Sequence, residues 1–171
     1  MVAACPWVAA SLAGRPSLDD WLAVKSFRAL CLVLACCALC LSSARAELIW
    51  LTDFQRAQEE AKAGRKLLLL NFTGSDWCGW CMRLQAEVFA KPEFAEYAKQ
   101  NLVLMTVDFP RAKSISSEVR SQNATLAQKY GIEGFPTIVL LNGEGKIVGV
   151  LGYMPGGPSA FIGELKKVPK S

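Results

Sequence analysis

The apolar run from Leu67 to Phe72 has the length of a single strand, and after five intervening residues stand two cysteines, Cys78 and Cys81. A run of that length without apolar–polar alternation is expected of a strand buried on both faces, which requires helices above and below a sheet. Thr73 to Trp77 is expected to form a loop, and Cys78 to open a helix that runs toward Phe89. Residues three apart on a helix share a face, so the two sulfurs come within bonding reach of one another. The order strand, loop, cysteine pair, helix thus constrains this chain more than any bulk property does.

At a helix start Cys78 meets unpaired backbone N–H groups and the positive end of the helix dipole, and both favour thiolate over thiol. Cysteines so placed have pKa values of about 3.5 to 7.5, against about 8.5 when free. Cys78 is therefore expected to be the nucleophile. Cys81, one turn further in and less exposed, is expected to resolve the mixed disulfide that Cys78 forms with a substrate. Two other uses of the pair stand beside this one. A zinc site needs about four ligands, and two cysteines in a chain without histidine do not supply them unless another chain contributes. A purely structural staple stays open, although closing so short a loop restricts the unfolded chain by only ~2 kcal/mol in the entropy model.

The remaining pattern is that of alternating helices and strands. Thr52 is expected to cap a helix from Asp53 to about Ala63 that Gly64 ends. Pro92 marks a break, after which Glu93 to Gln100 resumes helically. Leu102 to Asp108 reads as a second interior strand, followed by a polar loop from Phe109 to about Ser117. Glu118 to Tyr130 suits a helix stopped by Gly131. Thr137 to Leu141 and Lys146 to Leu151 form a hairpin around Asn142–Gly145, and Ser159 to Lys167 closes the chain as an amphipathic helix. The order αβαβαββα describes an α/β protein with a central mixed sheet flanked by helices on both faces.

The first 46 residues read differently. Lys25 and Arg28 precede a 13-residue apolar run, Ala29 to Leu41, and Ala44-Arg45-Ala46 has the small-x-small form of a signal-peptidase site. Thirteen residues are too few for a membrane-spanning helix, which needs about 20. Cleavage after Ala46 is expected, with a retained anchor or a lipoprotein using Cys36 or Cys40 as the alternatives, although neither cysteine follows a convincing lipobox. Residues 1–46 then comprise an N-terminal extension plus signal peptide, and 47–171 the working domain. Met1 to Ala23 does not resemble a targeting segment, whereas a start at Val24 would give a 23-residue leader of ordinary form. Export would carry the domain into an oxidising compartment. Cys5, Cys31, Cys36, Cys37 and Cys40 all precede residue 47, so cleavage would leave Cys78 and Cys81 as the sole pair.

Several chemistries are excluded at this point. The chain contains no histidine, which rules out Ser-His and Cys-His catalysis and histidine metal sites. From Glu47 onward fifteen basic residues face thirteen acidic ones, with no basic run, so there is no electrostatic case for nucleic-acid binding. No glycine pattern for a dinucleotide is present, and no cofactor or metal is expected. The Pro-x-x-x-Thr-x-x-Cys context of a peroxidase of the peroxiredoxin type is also lacking.

Trp77-Cys78-Gly79-Trp80-Cys81 after a buried strand, with Gly131-Ile132-Glu133-Gly134-Phe135-Pro136-Thr137 before a later one, resembles the thioredoxin family over Leu48 to Val168. The resemblance implies a thioredoxin fold and thiol-disulfide exchange with protein substrates. It implies that Pro136 is cis and faces the cysteine pair, and that the backbone at Phe135 and Pro136 pairs with an extended substrate segment. Trp77, Gly79, Trp80 and Thr137 join them as supporting residues. Trp77 and Trp80 flank the pair either as an apolar platform for substrate or as packing for the helix. Three departures stand out. Trp80 replaces the proline usual in cytosolic thioredoxins, a position that alters redox poise. Asn71 stands where thioredoxins carry a buried aspartate that helps deprotonate the second cysteine. The loop from Phe109 to Ser117, with Arg111 and Lys113, is longer than its equivalent in small thioredoxins and is expected to be a solvated loop rather than a docking surface. Asp76 is expected to be an exposed loop carboxylate rather than a substitute base.

The expected function is an exported thiol-disulfide oxidoreductase, periplasmic in a two-membraned bacterium, without a stable membrane span once its signal is cleaved. In that setting a reductant needs electrons relayed across the membrane and an oxidant needs a quinone-linked or equivalent acceptor, so a membrane-linked partner is implied. The competing class is a thioredoxin-fold binding or chaperone module whose cysteines form a structural disulfide.

Overall fold

A computed structural model describes residues 48–169. The leader, the cleavage after Ala46, the start at Val24 and the lipoprotein cysteines lie outside the described residues. Five strands and five α-helices follow one another as β1 (Trp50–Leu51), α1 (Phe54–Gly64), β2 (Leu67–Thr73), α2 (Gly79–Leu84), α3 (Pro92–Asn101), β3 (Leu102–Asp108), α4 (Ser117–Lys129), β4 (Thr137–Leu141), β5 (Ile147–Leu151) and α5 (Gly157–Leu165). The strands make one mixed sheet in the order β1-β3-β2-β4-β5. β2 pairs parallel with β3 and antiparallel with β4, and β3 pairs parallel with β1. β2 is thus the central strand, and all seven of its residues are buried.

Strand alternation divides the core into two layers, one on each face of the sheet. Leu67 and Leu69 join Leu104, Ile138 and Leu140 under Leu84, Phe94 and Phe161 from α2, α3 and α5. Leu68, Leu70 and Phe72 join Met105, Val107, Val139 and Leu141 under Ala57 and Ala61 of α1 and Leu126 of α4. Each leucine side chain buried this way contributes about 1.5–3 kcal/mol of transfer free energy. With apolar residues on both faces of β2, the strand has no solvent side, which is why its sequence does not alternate.

Several boundaries move for local reasons. The cap of α1 is Asp53, not Thr52: its Oδ1 accepts from Arg56 N at 2.7 Å. Gly64 is the last helical residue, and Arg65 takes the left-handed conformation, with φ 52°, that ends the helix. The break expected at Pro92 falls at Ala90–Lys91, and Pro92 itself begins α3, at the position where a missing N–H costs nothing. The cysteine helix reaches Phe89 as expected, but Gln85–Phe89 widens into a π-helical turn after Leu84. The final helices start one to two residues earlier than their sequence pattern suggests, at Ser117 and Gly157. β1 escapes the sequence reading because two residues carry no periodicity.

Among the described residues no helix is long and apolar enough to cross a membrane.

Candidate active site

Three segments that the sheet brings together form the site. The loop leaving β2 carries Trp77, and Cys78 caps α2. The turn before β4 carries Phe135 and Pro136, and the segment after β3 carries Phe109 and Arg111. β2 lies between β3 and β4, so chain stretches more than twenty residues apart meet at the same end of the sheet.

Cys78 and Cys81 are joined in a disulfide, with Cα atoms 5.2 Å apart. Cys78 Sγ accepts a hydrogen bond from Cys81 N at 3.2 Å, so its sulfur takes the place of a capping oxygen at the helix start. An anionic sulfur there gains from the same backbone donor. Both cysteines are buried, at 7% and 5% exposure, so the expected contrast between an open first and a hidden second cysteine is slight in the bridged state. Gly79 has open space where a Cβ would stand, leaving the approach beside Cys78 clear.

The Phe135–Pro136 peptide bond is cis. Phe135 meets the edge of the Trp77 ring at 5.9 Å between centroids and stacks on Phe109 at 5.2 Å. The turn before β4 therefore packs directly against the residue preceding Cys78. Thr137 Oγ1 donates to Gly134 O at 2.8 Å, closing the turn around the proline.

The two tryptophans occupy different settings. Trp77 keeps 36% exposure but is held in place: its Nε1 donates to Phe109 O at 2.8 Å and the Arg111 guanidinium lies over the ring at 4.0 Å. A Cβ on Gly74 would fall 2.4 Å from the Trp77 ring, so the loop tolerates only glycine there without moving the indole. Trp80 is 56% exposed and packs on Tyr153 at 5.0 Å, with Arg83 over both rings at 5.6 and 5.5 Å. Arg83 is held in turn by Glu87 at 2.7 Å, and Tyr153 donates to the other Glu87 oxygen at 2.8 Å. The hydrogen bond from Arg83, then that from Tyr153, holds the Glu87 carboxyl below its ordinary pKa, and the bond to Glu87 pushes the Tyr153 phenol up. Met82, the residue after Cys81, is 49% exposed.

Asp76 is neither a free loop carboxylate nor placed as a base. Its two oxygens accept the backbone N–H groups of Arg111, Ala112 and Lys113 at 2.7 to 3.1 Å. These bonds, the one from Arg111 foremost, hold its pKa below the ordinary carboxylate value. Ser75 is tied in parallel, donating from N and Oγ to Asp108 at 2.9 and 2.6 Å. The Phe109–Ser117 loop is solvated as expected, with Arg111–Ser114 exposed, and is in addition fastened to the active-site loop through the backbone of Arg111, Ala112 and Lys113.

A pH dependence follows from Asp76. Its pKa is lower in the folded chain than in the unfolded one, so its contribution is complete above the ordinary carboxylate range near pH 4 and is lost as the pH falls through the depressed value. Asp76→Asn is expected to loosen this fastening already at pH 7 and to remove this acid step. Tryptophan fluorescence during an acid titration checks it, since Trp77 lies under Arg111. Identical titrations of the two proteins would refute the fastening role.

Sequence reasoning passed over Phe109, Arg83, Glu87 and Tyr153. The i,i+4 spacing of Arg83 and Glu87 was a legible signal, but nothing local marks Tyr153 as the partner of Trp80, 73 positions away.

Comparison with known proteins gives consistent results. The family described as thioredoxin-like domain matches residues 54–169. The disulfide bond reductase DsbH of Chlamydia pneumoniae is 36% identical over 127 residues, covering 74% of this chain and 76% of that protein. A solved structure of a DsbH oxidoreductase superposes with a TM-score of 0.68 at 36% identity, covering 71% of this chain and 84% of the other. The thioredoxin-related protein DsbJ of Chlamydia pneumoniae is 33% identical over 97 residues, 57% of this chain but only 28% of that longer protein.

Proposed function

Since the chain belongs to the thioredoxin-like family and is a thiol-disulfide oxidoreductase, we propose that it exchanges Cys78 and Cys81 with protein substrates outside the cytosol, in the reducing direction. The observation that carries this reading is the disulfide at the start of α2, capped from Cys81 N and set against the turn of Phe135 and Pro136 through Trp77.

In the reducing direction the Cys78 thiolate attacks one sulfur of a substrate disulfide. A mixed disulfide forms, and the departing substrate sulfur takes up a proton. Cys81, deprotonated, then attacks Cys78 Sγ, closing the bridge and releasing the second substrate thiol. Two electrons pass from the pair to the substrate, and the same steps run backward would oxidise a dithiol. The name of the DsbH relative supports the reducing sense. The turn at Phe135–Pro136, beside Trp77, supports its role as the strip that receives an extended substrate segment, with Gly79, Trp80 and Thr137 around it. The apolar and basic leader supports export to a periplasm, and renewal of the dithiol there calls for a membrane-linked donor.

Insulin reduction tests the proposal. The chain is expected to accelerate precipitation of insulin in dithiothreitol well above dithiothreitol alone. Its equilibrium potential is expected nearer about −270 mV than about −120 mV, the values of a reducing and an oxidising member. No acceleration would instead make the chain a binding module with a structural bridge, and a potential near the upper value would reverse the direction.

A further inference from the structure

Asn71 lies within the central strand, 8% exposed, and its Oδ1 is buried with no hydrogen-bond partner among the described residues. Its backbone is held on both sides, opposite Thr106 of β3 and Ile138 of β4, so the side chain cannot swing away to find one. A buried amide oxygen left without a donor costs free energy comparable to a lost hydrogen bond and calls for a reason.

The register supplies that reason. Leu67 and Leu69 share a core layer with Leu84, whereas Leu68, Leu70 and Phe72 face the other layer, so Asn71 points to the α2 side of the sheet. Leu84 shares its core layer with Leu67 and Leu69, and Cys81 is the other buried residue of α2, one turn nearer the start of the helix. A helix that returns over the strand it follows would set Cys81 over the next inward-facing position of β2, which is Asn71.

In the disulfide neither sulfur carries a hydrogen. Reduction of the bridge takes two electrons and two protons: a donor dithiol becomes a disulfide, and one of those protons ends on Cys81 Sγ. We infer that Asn71 Oδ1 accepts a hydrogen bond from the Cys81 S–H, so that the amide is satisfied in the dithiol and orphaned in the disulfide. Asn71 is then a positioning residue that shifts the couple toward the dithiol and keeps Cys81 a neutral thiol. An amide takes up no proton, so the proton of Cys81 leaves by another route when the mixed disulfide is resolved. The inference rests on the proposed cycling of Cys78 and Cys81 between bridge and dithiol.

Equilibration with reduced and oxidised glutathione, read by alkylation and mass, tests it on the whole chain. Asn71→Leu, of similar volume and without an acceptor, is expected to raise the equilibrium constant for bridge formation about tenfold, equivalent to about 30 mV toward more negative potential. Its disulfide form is expected to melt higher relative to its dithiol form than in the parent chain. A purely structural role would shift both melting temperatures together and leave the equilibrium constant alone. A constant within twofold of the parent, or a shift in the opposite sense, overturns the inference. Asn71→Ala, expected to move in the same direction, takes its place where the leucine variant does not fold. A parent chain that does not equilibrate with glutathione at all would overturn the proposed cycling as well, which separates the two failures.

Discussion

Cys81→Ser is expected to turn the catalyst into a trap that accumulates a mixed disulfide between Cys78 and its substrate. Without Cys81 the second attack has no nucleophile in reach, and release must wait for an external thiol. Cys78→Ser is expected to give neither turnover nor adduct, because the sulfur at the start of α2, the one that accepts from Cys81 N, performs the first attack. Both variants are expected to reduce insulin at the uncatalysed rate, a loss of about 10³-fold or more where nucleophile and partner act as a unit. Non-reducing gels with a disulfide-bonded substrate distinguish them. An adduct with Cys78→Ser and none with Cys81→Ser would exchange the two roles. Both cysteines are almost equally buried in the bridged state, so the order of attack follows from the helix-start position of Cys78 rather than from exposure.

The second large effect concerns stability. Phe161 of α5 is fully buried, with its ring 5.6 Å from Phe89 and 6.2 Å from Phe94 between centroids. Phe89 ends the π-helical turn that continues the cysteine helix, and Phe94 belongs to α3, so one side chain at the far end of the chain locks together three helical segments on the site's face of the sheet. Phe161→Ala removes that wedge, and substitutions of this kind cost about 3–5 kcal/mol through lost transfer energy and the cavity left behind. Against a total stability of about 5–15 kcal/mol the loss is large. The thermal midpoint is expected to fall by on the order of 10 °C or more, read by circular dichroism. A fall of only a degree or two would mean that the aromatic cluster closes over the gap.

Much of the fold is legible in the sequence because it rests on local pattern. Leu67–Phe72 reads as a central strand because both of its faces are apolar but for Asn71, and the structure extends it only to Thr73. Leu102–Asp108 and Thr137–Leu141 coincide with β3 and β4 for the same reason. The misreadings fall where two residues compete for one role. Thr52 and Asp53 are both capping residues, and only the position of the first helical turn selects Asp53. At Pro92 the expected break is present and only the helix start moves, by one residue, because proline fits the first helical position.

The site was legible to the depth of its motifs. Cys78, Cys81 and Pro136 announce themselves, the first two by spacing beyond a buried strand and the third by family resemblance. The surroundings of these residues depend on contacts that sequence distance hides. Asp76 reaches the backbone of Arg111, Ala112 and Lys113, 35 to 37 residues away, and Trp77 meets Phe109, Arg111 and Phe135. These partners meet because β2 lies between β3 and β4, so that the segment after β3 and the turn before β4 both arrive at the end of the sheet where Cys78 stands.

The sequence by itself determined that a cysteine pair would sit at a helix start beside a fully buried strand, since apolar runs and residue spacing act over a few residues. Only the tertiary structure decided that the start of the Phe109–Ser117 loop is fastened to the active-site loop, that Trp77 is bonded to Phe109 while Trp80 packs on Tyr153, and that the Asn71 oxygen has no donor among the described residues. Each of these depends on which strands are neighbours and in what register, and register is set by how the whole core packs rather than by any one segment.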